Sequence, residues 1–150
     1  MEKIKQSPTK KRLLLLVFAL AAVLLAAILL RAFFGGGPDL NTREGRVSYL
    51  LSLGWEVDAA SEEERGVRIP KQLDEVLTNY NALQQELGCD LTAHLGEKCQ
   101  QFSYTVLNYP DTEETVRVTL YLREGKLIAG DLHSTAFDGF MHGLVSRESL

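Results

Sequence analysis

The stretch TVRVTLYLREGKLIAGDL, residues 115–132, decides the fold. From Val116 to Leu122 every second residue is apolar, with Arg117, Thr119 and Tyr121 between them. That period of two is the mark of a strand with one buried face. Glu124-Gly125 then supplies a tight turn, and Leu127 to Leu132 resumes an apolar run, so the stretch predicts an antiparallel hairpin. Upstream, Cys99 to Tyr109 sets Phe102, Tyr104 and Val106 on one face and ends in the turn residues Pro110-Asp111. The three strands make a meander.

Further upstream the periodicity changes. Pro70 opens a predicted helix whose apolar stripe is Leu73, Val76, Leu77, Tyr80, Leu83 and Leu87, closed by Gly88, and whose stripe is expected to pack on the sheet. Asp90 to Leu95 adds one helical turn, stopped by Gly96. Before this helix, Trp55-Glu56-Val57 and Val67-Arg68-Ile69 read as two short strands, a hairpin with the solvated acids Glu62, Glu63 and Glu64 at its tip. A first helix starts at the capping sequence Asn41-Thr42-Arg43-Glu44, carries Val47, Leu50 and Leu51, and ends at Gly54. The order α-β-β-α-β-β-β, with strands in runs, predicts an α+β domain: a small antiparallel sheet with helices on one face. Phe137 to Leu144 is apolar enough to dock.

The chain ahead of this domain has a different character. Leu13 to Leu30 is an eighteen-residue run of Leu, Ala, Val, Ile and Phe. At about 1.5 Å per residue a helix of this length, extended through Phe34, reaches roughly 33 Å, enough for one bilayer crossing. Lys3, Lys5, Lys10, Lys11 and Arg12 precede it against the single acid Glu2, which predicts a cytoplasmic N-terminus. Arg31, Ala32, Phe33 and Phe34 follow in place of a small-x-small cleavage site, favouring an uncleaved anchor over a signal peptide. The expected organisation is a basic cytoplasmic tail (1–12), a transmembrane anchor (13–34), a Gly-rich linker (35–40), an extracytoplasmic domain (41–145) and a C-terminal tail (146–150). From Pro38 onward 10 Lys and Arg face 19 Asp and Glu, a net charge of −9. So acidic a domain argues against nucleic acid as a partner.

Chemistry-bearing residues are sparse. Asp131, His133, Ser134, Asp138 and His142 fall within twelve residues and form the candidate ligand cluster. His133 and His142 are nine apart with no H-E-x-x-H or comparable pattern, so no metal site is read here. Ser134 lacks a G-x-S-x-G context, and no glycine-rich phosphate loop occurs, so the chain reads as a non-enzyme without a cofactor. Cys89 and Cys99, ten apart, could close a small disulfide loop outside the cell or serve as small buried apolar residues.

Several separated strings carry a resemblance: Gly54-Trp55-Glu56-Val57, Val67-Arg68-Ile69-Pro70, Tyr80-Asn81, Gly88-Cys89-Asp90-Leu91, Asn108-Tyr109-Pro110, Gly130-Asp131 and Asp138-Gly139-Phe140-Met141-His142-Gly143. Together, across about Asn41 to Leu144, they resemble the bacterial domain of unknown function 4830. The resemblance implies a small single-span protein of the bacterial cell envelope and assigns no catalytic residue. The expected function is a membrane-tethered interaction or sensory module working with an envelope protein. A small-ligand or cation-binding domain is the first alternative, using Asp131, His133, Asp138 and His142 or the Glu62 to Glu64 acids. An unrecognised hydrolase is the second.

Overall fold

The computed structural model describes residues 37–150, together with residues 17, 21 and 23–26. The rest of the expected anchor and the basic tail lie outside the described residues. Among the described residues no helix is long and apolar enough to cross a membrane.

Residues Pro38–Leu150 form one compact unit. Its sheet has five antiparallel strands in chain order: β1 (Val57–Arg68), β2 (Lys98–Val106), β3 (Val116–Arg123), β4 (Lys126–Ser134) and β5 (Met141–Gly143). Two helices, α1 (Arg43–Ser52) and α2 (Glu75–Glu86), and two 3-10 turns, Leu91–His94 and Arg147–Ser149, complete it. The α+β class and the meander stand as expected. Arg123 pairs with Lys126 across Glu124 and Gly125, whose φ angles of 51° and 74° are those of a tight hairpin turn.

Three expectations need correction. The two short strands before α2 are one long strand, so the order is α-β-α-β-β-β-β. Pairing with β2 runs through Asp58 opposite Thr105 and resumes at Glu63 opposite Ser103, leaving residues 59–62 bulged opposite Tyr104. The bulge turns Glu62 inward to Arg46 and Tyr104, so an acid expected in solvent is a buried anion. Second, α2 begins at Glu75, because Asp74 supplies the cap: its carboxylate accepts from Leu77 N–H at 2.8 Å. Pro70 lies ahead of the helix, its carbonyl and that of Ile69 tied to Gly96 N–H. Third, the helices take both faces of the sheet. The even positions Phe102, Tyr104, Val118 and Leu120 join Leu50 and Trp55 beside α1, whereas Cys99, Tyr121 and Ala129 join Ile69, Leu91 and Tyr80 of α2.

The reason is that each face offers an apolar area to cover, the first along its whole length and the second only at one end. Gly143 lets α2 come close: a Cβ there would sit 3.0 Å from Leu87 Cδ1. Where β5 has ended, the fully buried Gln84 continues its work, accepting from Gly130 N–H at 2.8 Å. Leu40, expected in the linker, belongs to the core, and the tail 146–150 is tied down through Arg147 N–H to Leu53 C=O at 2.8 Å. Both apolar clusters and the entire sheet lie within residues 38–150, so this part carries its own core.

Beneath α1 sits a sealed polar knot. Arg46 donates to Tyr104 Oη at 2.8 Å, Leu40 C=O at 2.9 Å and Glu62 at 2.8 Å, and its Cζ lies 3.6 Å from the Phe102 ring centre. Glu62 also accepts from Arg43 at 3.0 Å and from Tyr104 Oη–H. Burial disfavours the Glu62 charge, yet these donors outweigh it and hold its pKa below the ordinary value. Tyr104 is pushed up to about 12, by burial first and then by its bond to Glu62.

Candidate functional site

On the face opposite α1 the strand register lines up a polar floor. Glu63, Ser103, Thr119 and Asp131 form one row across β1 to β4, and Thr105, Arg117, His133 and Met141 form the next across β2 to β5. Paired residues share a face, so these side chains stand together although the chain separates them widely. The helix α2 covers the end of this face around Tyr121 and Ala129 and leaves the floor open beyond it.

The result is a cleft with two adjoining parts. One, of 540 Å³, is walled by Val76, Leu77, Tyr80 and Leu83 of α2 with Tyr121 and Met141. The other, of 260 Å³, is lined by Glu63, Arg65, Ser103 and Arg117. Gln101, Thr119 and His133 border both. An apolar cavity with a few convergent polar groups is the usual form of a small-molecule site. A larger recess of 800 Å³ lies at the end of the sheet near Glu97 and Arg123. Apart from Lys98 its charged groups are already matched, with Arg123 at 2.8 Å from Glu97 and 3.5 Å from Glu124 and Arg68 donating to Gly96 C=O at 2.6 Å.

Within the cleft the acids are satisfied. Asp131 is only 3 % exposed, and one carboxylate oxygen accepts from Tyr80 Oη–H while the other meets His133 Nδ1, both at 2.8 Å. The carboxylate makes Nδ1 the donor, which leaves His133 Nε2 without a protein partner among the described residues. Glu63 is held by Arg117 at 3.0 Å and Arg65 at 3.2 Å. Tyr80 is pushed far above an ordinary phenol by burial and then by the Asp131 charge, and Tyr121 is raised to about 12 by burial first and then by Asp131. Both therefore remain protonated at ordinary pH. The donors are in surplus: Arg117 uses one terminal nitrogen on Glu63, and the other, NH2, is buried with no partner among the described residues.

The expected cluster is divided. Asp131 and His133, two apart on β4, share the cleft. His142 pairs with Leu132 and so stands on the opposite face, where Nδ1 donates to Gly143 C=O at 2.8 Å and Nε2 accepts from Tyr109 Oη–H at 3.0 Å. Its ring stacks on Phe140 at 5.8 Å. Ser134 also faces that way, bonded to Glu114, and Asp138 is exposed in the connection to β5. Among the described residues no group of three or more His, Cys, Asp or Glu could hold a metal ion. Cys89 and Cys99 are separate thiols, Cys99 buried with Ile69, Leu91 and Ile128 and Cys89 half-buried after α2.

Sequence reasoning missed Tyr80, Gln101, Arg117 and Thr119. Tyr80 was hidden in the apolar stripe of α2, and the signal of the other three was the polar half of the alternation on β2 and β3, a pattern that a solvent-facing surface gives equally well. Chemically the site can bind and orient a ligand. The hydroxyls of Ser103 and Thr119, the nearest thing to a nucleophile in the floor, hydrogen-bond to each other at 2.9 Å.

The chain matches no protein-family model, no curated protein and no solved structure.

Proposed function

We propose that this chain is a membrane-tethered sensory module of the bacterial envelope, non-enzymatic, whose extracytoplasmic domain receives a small molecule in the cleft between α2 and the sheet and passes the signal to a partner protein. The apolar run of residues 13–30, its basic flank and the resemblance to the domain of unknown function 4830 support the location. The cleft is the observation that carries the function: 540 Å³ of apolar space bordered by a buried Asp131–His133–Tyr80 network. A purely structural sheet face has no need of both features together.

The test adds the small-molecule extract of a bacterial envelope to residues 38–150 and follows backbone amide exchange. Protection is expected along residues 76–87 of α2 and at β5. Exchange unchanged there, with the fold intact, would overturn the proposal. Topology is tested separately by protease access to a C-terminal epitope on intact spheroplasts, and protection of the epitope would overturn the extracytoplasmic placement.

One observation favours a hydrolase as the second reading, the Asp131–His133 hydrogen bond, which orients an imidazole with Nε2 free. With the neighbouring hydroxyls paired to each other, such an enzyme would have to activate water. A His133→Gln variant that kept full hydrolytic turnover on an ester panel would remove that reading.

A further inference from the structure

We propose that the ligand of this cleft is an amphipathic organic anion, a carboxylate on a medium-length apolar body, with its head at Arg117 and His133 and its body along α2. This rests on the cleft being the ligand site and adds the chemistry of what enters it.

The hydrogen-bond inventory gives the sign of the head group. All four carboxylate oxygens of Glu63 and Asp131 already face a donor: Arg117 and Arg65 on Glu63, His133 and Tyr80 on Asp131. A cationic ligand would share these oxygens with donors already in place and gain correspondingly less from them. The floor's unspent capacity is in donors instead, namely Arg117 NH2 and the Gln101 amide at the junction of the two parts. An unpaired buried guanidinium nitrogen costs free energy, and a carboxylate met by a small turn of the partly exposed Arg117 head recovers it.

Register gives the geometry. Arg117 and His133 are direct cross-strand partners on one face, so their Cβ atoms are about 4.5–5.5 Å apart and both heads can reach a single carboxylate. The rest of the ligand is set by the wall. Leu77, Leu83, Tyr121 and Met141 offer apolar contact and no free charge, and Met141 adapts to bodies of different outline. A short, highly charged anion such as phosphate would leave that wall uncovered. The domain's net charge of −9 does not forbid the anion, because charges beyond about 8–10 Å are largely screened at physiological salt and near the floor Arg65 and Arg117 balance Glu63 and Asp131.

The experiment titrates residues 38–150 with octanoate, octanol and octylamine, three probes with one body and different heads, reading affinity by calorimetry and location by amide shifts. Octanoate is expected to bind at least tenfold tighter than octanol, about 1.4 kcal/mol, and octylamine weaker than both. Arg117→Gln should bring octanoate down to the affinity of octanol without changing octanol. If that variant unfolds, His133→Gln reads the same head-group contact, with a smaller loss of about threefold. Leu77→Trp fills the apolar part and should abolish both probes. Octanol binding as tightly as octanoate, or octylamine tighter, would overturn the anion while leaving the cleft as the site. Octanoate affinity indifferent to both head-group variants would also overturn it. No shift at α2 or β4 with any probe would overturn the cleft itself along with its ligand.

Discussion

The two faces of the sheet each hold a tyrosine hydroxyl bonded to a buried carboxylate, and the surroundings make them different objects. Under α1, Tyr104 meets Glu62 with Arg46, Arg43 and the Phe102 ring closing in around the pair. Under α2, Tyr80 meets Asp131 with one histidine, and beyond the histidine is open cavity. The first knot spends its donors within itself, on Glu62, Tyr104 Oη and Leu40 C=O. The second leaves donors over at the mouth of an apolar space. Buried polar groups alone therefore do not mark a site; unspent capacity beside a cavity does.

The comparison breaks if both knots respond alike to losing their acid. Glu62→Ala leaves Arg46 buried without its counter-charge, so it should cost about 3–5 kcal/mol in denaturant unfolding of residues 38–150. Asp131→Asn keeps the shape and leaves a neutral acceptor for Tyr80, so it should cost about 1–3 kcal/mol. Equal losses would mean that the cleft network is as structural as the knot.

Acid sharpens the same contrast. Glu62 has a lowered pKa in the folded state, so its stabilisation is complete above the unfolded carboxyl value and is lost as pH falls through the folded one. The gap in stability between the wild type and Glu62→Gln should therefore be widest above about pH 5 and shrink steadily below about pH 4. A gap that stays constant across that range would show that the carboxylate charge is not what holds the bulge.

These outcomes bear on what the sequence could show. The β3–β4 hairpin was legible because its signals are local: alternation at Val116 to Leu122 and a turn at Glu124-Gly125. The course of β1 was not, since Ser61 to Gly66 is too polar to read as strand and its bulge depends on Arg46, sixteen residues earlier in the chain. The stripe on α2 was legible as apolar and as packing on the sheet, and the polar residues it buries were not. Asn81 and Gln84 are the residues the helix buries, bonded to Leu91 N–H and Gly130 N–H, whereas Val76 is 75 % exposed. Of the candidate cluster, strand spacing was enough to join Asp131 to His133. The strand carrying His142 had no separate signal, and pairing with Leu132 sent it to the other face.

Tyr80→Phe comes next in size. It strips the donor from one Asp131 oxygen while keeping the ring against Tyr121, a T-shaped pair at 6.3 Å, so the loss should be about 1–2 kcal/mol. The matching change on the other face, Tyr104→Phe, removes a donor from Glu62 and an acceptor from Arg46 at once. It should cost more than Tyr80→Phe in the same unfolding assay, and the reverse order would contradict the view of Tyr104 as part of a closed knot.

The smallest expected effect on stability separates binding from folding most cleanly. Val76 lines the cleft yet stands 75 % exposed in the first turn of α2, where an added acid suits the helix dipole. Val76→Glu should therefore change stability by no more than about 0.5 kcal/mol. The new charge stands on the wall along which an anionic ligand would lie, so octanoate should bind roughly two- to fivefold more weakly through space, with octanol barely affected. No change of this kind is available at the sealed knot, where the residues that matter hold the fold as well. Equal weakening of octanoate and octanol would mean that Val76 acts by shape and that charge plays no part at that end of the wall.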